Sequence, residues 1–108
     1  MASEVIDRTI THDYARFVRE HWPNHGLTCS ILGLTGEAGE VADLHKKHYW
    51  HKVPTTVDKY VDELGDVLFY VFALAEELMI PIEDVIAANV AKISKRYPNG
   101  FVAGGGVR

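Results

Sequence analysis

Apolar residues return along this chain at spacings of three and four, the period of helices with one buried face, and three interruptions cut the pattern into four pieces. Thr11 reads as the N-cap of a first helix running to about Trp22, with Tyr14, Phe17, Val18 and His21 at helical spacing. Pro23-Asn24-His25-Gly26 breaks it. A second helix runs from about Leu27 to Trp50 and lines up Ile31, Leu34, Ala38, Val41 and His45 on one stripe. Pro54 ends the next loop, and Thr55 followed by Asp58 resembles a capping box with Asp in place of Glu. A third helix therefore starts near Thr56 and continues to about Met79. Pro81 stands where a first-turn proline is tolerated, and a fourth helix follows from about Ile82 to Tyr97, stopped by Pro98-Asn99-Gly100.

The expected fold is all-α, a four-helix bundle-like arrangement. Its long second and third helices pair antiparallel at the centre because their connection is short. Residues 1–101 make one domain, and 102–108 a flexible Gly-rich tail. The third helix is apolar nearly all round from Val67 to Ala75, the pattern of a helix buried on every side. Four short helices leave too little material to surround it, so a homodimer or larger assembly is expected to cover the remaining face. The alternative is a monomer with this helix central to its own bundle.

Bulk composition narrows the function classes. The chain has 108 residues, 47% apolar and 24% charged, which suits one globular domain. No signal peptide is expected, because the N-terminus lacks the charged, apolar, small-residue order of a leader. The longest apolar run falls short of the roughly 20 residues a bilayer requires. A lone Cys29 suits a reducing cytoplasm. The net charge of −4, with no dense basic run, argues against a duplex nucleic-acid binder.

Two stretches spell nearly the same phrase: Glu37-Ala38-Gly39-Glu40-Val41 and Glu63-Leu64-Gly65-Asp66-Val67. Each puts two carboxylates three residues apart, on one face of a helix. Paired acids on a helix are ordinarily a solvated face. Here Glu63, Asp66, Tyr70 and Ala73 form one line running into the apolar half of the third helix, and Glu37 and Glu40 border the stripe of Leu34, Val41 and Leu44. Carboxylates at a core margin are costly to desolvate unless compensated, and the nearest lysines, Lys46, Lys47 and Lys59, do not obviously neutralise all four. Hard divalent cations answer that need: Mg²⁺ takes oxygen ligands, often shared with substrate phosphates. Gly39 and Gly65 suggest close helix approach at the site, since a helical glycine costs about 1 kcal/mol relative to alanine. A di-iron centre would want Glu-x-x-His pairs, and no histidine follows a glutamate by three. Mg²⁺, or Mn²⁺ in its place, is therefore favoured. His12, His45, His48 and His51 lack ligand spacing and read as surface or loop residues.

Three stretches carry a family resemblance. Leu32-Gly33-Leu34-Thr35-Gly36-Glu37-Ala38-Gly39-Glu40-Val41-Ala42-Asp43-Leu44 resembles the first signature of MazG-like nucleotide pyrophosphohydrolases, and Asp62-Glu63-Leu64-Gly65-Asp66-Val67-Leu68-Phe69-Tyr70 resembles their second. Asn89-Val90-Ala91-Lys92-Ile93 with Arg96-Tyr97-Pro98 resembles the segment that closes the domain. Many members carry a further glutamate where this chain has Gly36. The resemblance implies an all-α fold that dimerises, often as a dimer of dimers. It also implies Mg²⁺-dependent cleavage of a nucleoside or deoxynucleoside triphosphate to monophosphate and pyrophosphate. Glu37, Glu40, Glu63 and Asp66 become metal ligands, with Glu37 or Glu40 as general base for a water attacking the α-phosphorus. Asn89, Lys92 and Arg96 on the fourth helix can hold phosphate oxygens. Trp22, His25, Tyr70 and Trp50 are candidates for a base slot, Tyr70 foremost because it sits one turn beyond Asp66. Trp50 serves equally as a dimer contact. Three other readings stand beside this one: a phosphoribosyl-ATP pyrophosphatase of the same fold, a regulatory nucleotide binder without turnover, and a non-catalytic helical dimerisation module.

Overall fold

A computed structural model describes residues 8–23, 25–101 and 103–104. Four helices follow in order: α1 Arg8–His21, α2 Leu27–His51, α3 Val57–Glu77 and α4 Ile82–Arg96. The all-α expectation holds, with one isolated bridge, Pro98 to Gly100, as the only β-type pairing among the described residues. Asn24 of the break, and all of the expected tail except Ala103 and Gly104, lie outside the described residues.

Two helix starts differ from the sequence expectation. Thr11 is inside α1, not at its cap, and its hydroxyl donates to Glu83 at 2.8 Å. The Thr55 capping box does not form. Thr56 is the N-cap residue without a side-chain hydrogen bond, and the Thr55 hydroxyl is buried with no partner among the described residues. With no glycine to turn the chain, α3 ends through Met79 in the left-handed region at φ 55°. There the Ile80 N–H donates to the Ala75 carbonyl at 2.9 Å and the Met79 N–H to that of Glu76 at 3.0 Å, the paired bonds that satisfy a helix's last carbonyls.

Helices α2 and α3 are antiparallel neighbours. The Gly26 N–H at the head of α2 donates to Glu77 at the foot of α3, 3.0 Å away, and His45 near the end of α2 hydrogen-bonds Tyr60 near the start of α3 at 3.0 Å. Gly26 takes φ 88° to begin α2 there, a conformation natural to glycine. Helix α1 packs over the far half of α3: Val18 is 1% exposed, the Tyr14 ring meets Phe72 edge-on at 4.8 Å, and Arg19 pairs with Glu76 at 2.7 Å. Helix α4 docks through its first two turns, by buried Ile82, by Ile86 against the core, and by the hydrogen bond from Thr11 to Glu83.

The buried core is small: Val18, Phe72, Ala73, Ala75 and Ile82. The radius of gyration is 16.5 Å, against about 13 Å for a compact chain of similar length. Apolar side chains remain uncovered along one stripe of α3, where Val57 is 78%, Val61 61%, Leu64 57% and Leu68 47% exposed. No described helix is long and apolar enough to cross a membrane.

Candidate metal centre

The register of α2 against α3 decides which side chains share a site. Gly26 faces Glu77, Gly33 faces Tyr70 and His45 faces Tyr60. Midway along the pair, carboxylate oxygens of Glu37, Glu63 and Asp66, one from each, lie within 4.8 Å of one another. Glu37 and Glu63 are half-buried and Asp66 is exposed. Glu40 is exposed and stands outside this trio, yet its charge reaches both Glu37 and Glu63.

Crowding and burial work together on these acids. Burial lifts the Glu37 carboxyl above its ordinary pKa, and the charges of Asp66 and Glu40 lift it further. Glu63 is raised likewise, by burial first and then by Asp66, Glu40, Asp62 and Glu37. No lysine or arginine forms an ion pair with the trio among the described residues; Lys47 is taken by Asp43 at 2.9 Å instead. Three oxygen donors converging without a cationic partner make the donor set a hard divalent cation uses.

The raised carboxyls have a consequence for stability. Groups that bind protons more tightly in the folded state stabilise it below their ordinary pKa, roughly 4.3 for glutamate, and that contribution is lost as pH rises through the raised values. The metal-free protein is therefore expected to lose melting temperature across that window, beyond the loss seen in a Glu37→Gln/Glu63→Gln variant. Saturating Mg²⁺ is expected to reverse the loss in the unsubstituted chain alone. Parallel thermal melts of the two proteins across this pH range check it, and coincident pH profiles would refute it.

A pocket of about 330 Å³ opens beside the acids, lined by Trp22, Glu37, Asp66, Phe69 and Tyr70. Tyr70 stands edge-on to Trp22 at 5.7 Å and to Phe69 at 5.6 Å, so three rings and two carboxylates line the same pocket. Burial, then the nearby Cys29, Glu37 and Asp66, raise the Tyr70 pKa, so its hydroxyl keeps its proton and can donate. Tyr14 of α1 is also raised, by burial and then by Asp66. A larger hollow of about 410 Å³ lies between α1 and α4, but the charges lining it already answer one another: Arg19 with Glu76, and His12 with Glu83 at 3.2 Å.

The structure distributes the remaining candidates unevenly. Trp22 and Tyr70 line the acidic pocket; His25 lies flat on the Trp22 ring at 3.8 Å and is not part of the lining. On α4, Asn89 and Lys92 are exposed, and Arg96 packs over the Tyr97 ring at 6.0 Å; none of the three lines the pocket. Gly39 and Gly65 do not mark close helix approach, because a Cβ at either would meet nothing within 4 Å. The close approach is at Gly33, where a Cβ would run into the Tyr70 ring. The histidines expected on the surface or in loops are all helical and exposed: His12 in α1, and His45, His48 and His51 in α2. Sequence reasoning passed over Phe69, one of many residues in an unbroken apolar run. It also gave Gly33 no role, although a glycine one turn before Glu37 was a usable signal.

Residues 27–101 match the MazG nucleotide pyrophosphohydrolase domain family. That span holds all four acids and α2 to α4, and leaves out α1 with Trp22 and His25. The Gene 37 protein of Mycobacterium phage L5 is 36% identical over 85 residues, covering 75% of this chain and 75% of that protein. No solved structure gives a significant match.

Proposed function

Because the chain belongs to the MazG nucleotide pyrophosphohydrolase family, we propose that it hydrolyses nucleoside or deoxynucleoside triphosphates to monophosphate and pyrophosphate with Mg²⁺. The observation that carries this reading is the convergence of Glu37, Glu63 and Asp66 within 4.8 Å beside an aromatic-walled pocket. These three would hold the cation. When bound, it supplies charge neutralisation at phosphate oxygens and acidification of a water. Glu40 stands outside the trio and is left to accept the proton of the water that attacks the α-phosphorus. The Tyr70 hydroxyl donates to the substrate, and the Trp22, Phe69 and Tyr70 rings exclude water from its base. Lys92, Asn89 and Arg96 are assigned to phosphate oxygens through α4, whose loose attachment to the other helices lets it serve a pocket completed by a second subunit.

The working unit is then a homodimer, or a dimer of dimers, joined through the Val57, Val61, Leu64 and Leu68 stripe of α3. Burying such a stripe is favourable by about 25 cal/mol per Å² of apolar surface. Leu64→Lys is expected to shift the sedimentation coefficient to that of a monomer. An unchanged coefficient would place the interface elsewhere.

Product identity tests the activity. A panel of ribo- and deoxyribonucleoside triphosphates with Mg²⁺ in ¹⁸O-water should yield monophosphate carrying the label and unlabelled pyrophosphate. Diphosphate and free phosphate as products would exclude attack at the α-phosphorus. A complete absence of turnover, together with no Mg²⁺-specific thermal shift, would leave a helical dimerisation module.

A further inference from the structure

The far end of the α2–α3 hairpin carries a chemistry that the acidic site does not use. Residues 45–52 read His-Lys-Lys-His-Tyr-Trp-His-Lys, three histidines and three lysines with no acidic residue. A count of lysine and arginine alone passes over this run, because half of its basic positions are histidine. It forms the last turns of α2 and its left-handed cap, Lys52 at φ 58°. The helix dipole favours cations at such an end, which accounts for basic residues there. It does not account for two large rings standing among them in solvent: Trp50 is 71% and Tyr49 56% exposed.

The geometry is ordered. Lys46, Tyr49 and Trp50 stand at i, i+3 and i+4, on one helix face. The Lys52 ammonium lies 5.8 Å from the Tyr49 ring centre, and His45 stacks on that ring at 5.9 Å. Tyr49 in turn holds Trp50 at a right angle, 5.0 Å between ring centres, leaving most of the indole in water. Lys47 is neutralised by Asp43 at 2.9 Å, whereas Lys46 and Lys52 form no ion pair among the described residues.

An apolar protein surface is a poor occupant, because covering the indole would also strip water from the Lys46 and Lys52 ammonium groups, the latter donating only to the Tyr49 carbonyl at 3.1 Å among the described residues. A duplex offers phosphates but keeps its bases stacked inside. An extended single strand presents an open base face and flanking phosphates together, the combination that stacking platforms in basic grooves use. We propose that the C-terminal end of α2 binds single-stranded nucleic acid, Trp50 stacking on a base while Lys46 and Lys52 hold the adjacent phosphates. Helical rise puts this surface about 20 Å along α2 from Glu37, so it is separate from the carboxylate site.

The test uses the full chain and a fluorescein-labelled oligothymidylate of about fifteen nucleotides, read by anisotropy at about 50 mM salt. Saturable binding is expected, weakened about tenfold by Trp50→Ala. Lys46→Glu/Lys52→Glu should weaken it further and remove a log–log salt slope of about −1.4, that of two phosphate contacts. Triphosphate turnover should be unchanged in Lys46→Glu/Lys52→Glu. No anisotropy change at protein concentrations up to about 0.5 mM, beyond the roughly 1 μM to 0.1 mM range of non-specific nucleic-acid binding, would overturn the proposal. So would equal affinity for a duplex of the same length, or binding to phosphatidylserine vesicles that Trp50→Ala abolishes. A change of sedimentation coefficient in Trp50→Ala would show the indole covered by a second copy and would equally overturn it.

Discussion

Asp66→Asn is expected to lower triphosphate hydrolysis by at least about a thousandfold, equivalent to about 4 kcal/mol of transition-state stabilisation, while the helices persist. Asp66 is the acid on which the site turns: it belongs to the converging trio, lines the aromatic pocket, and its charge reaches Glu37, Glu63, Tyr70 and Tyr14. On the proposed reading its removal takes away a cation ligand, and it relieves the repulsion that raises its neighbours. The metal-free variant should therefore melt at or above the temperature of the unsubstituted chain, and its Mg²⁺-induced thermal shift should shrink. Glu40→Gln separates the roles. It should abolish turnover yet leave the Mg²⁺ midpoint within about threefold, a change below about 1 kcal/mol, because Glu40 stands outside the trio. Near-normal turnover in Asp66→Asn would remove that residue from the site. A lower metal-free melting temperature would argue against crowding. A lost Mg²⁺ response in Glu40→Gln would make Glu40 a ligand and not a base.

The second large effect is expected at Gly33. Any side chain there meets the Tyr70 ring, which packs directly on the α2 backbone. Gly33→Val should destabilise the fold by about 1–3 kcal/mol through overpacking. It should also lower kcat/KM by about a hundredfold, the cost of shifting a ring that frames the pocket by the order of 1 Å. Gly36 is the contrast: a Cβ there meets nothing within 4 Å, so Gly36→Ala should stabilise the chain by about 0.5–1 kcal/mol through helix propensity alone. Urea denaturation of both variants shows the opposite signs. A Tyr70→Ala background should rescue Gly33→Ala, with a coupling energy of about 1 kcal/mol or more in the double-mutant cycle. Additivity would mean that the ring is not what excludes a side chain at Gly33.

Among the described residues, a small buried core and an open stripe on α3 place these effects in a chain that leaves apolar surface uncovered. The same looseness explains why the α4 candidates stay away from the pocket. Helix α4 is anchored by Ile82, Glu83 and Ile86 in its first two turns, and Asn89, Lys92 and Arg96 lie roughly one to three turns beyond Ile86.

Much of this was legible without coordinates, for a local reason. Helical period, proline breaks and the three-residue spacing of acid pairs depend on neighbours within one or two turns. That is why four helices, an all-α fold and two acidic pairs followed from the sequence, along with the antiparallel α2–α3 pairing that a short loop imposes. Capping was less legible, since Thr11 and Thr55 both had cap chemistry and tertiary contacts gave their hydroxyls other surroundings. What only the tertiary structure decided was register. Two nearly matching phrases do not say which three of four acids converge, and the slide of α2 along α3 chose Glu37, Glu63 and Asp66 and left Glu40 apart. The same slide set Tyr70 on Gly33 and left Gly39 and Gly65 facing open space. Such choices rest on contacts between residues roughly thirty positions apart in the chain, where no local period carries information.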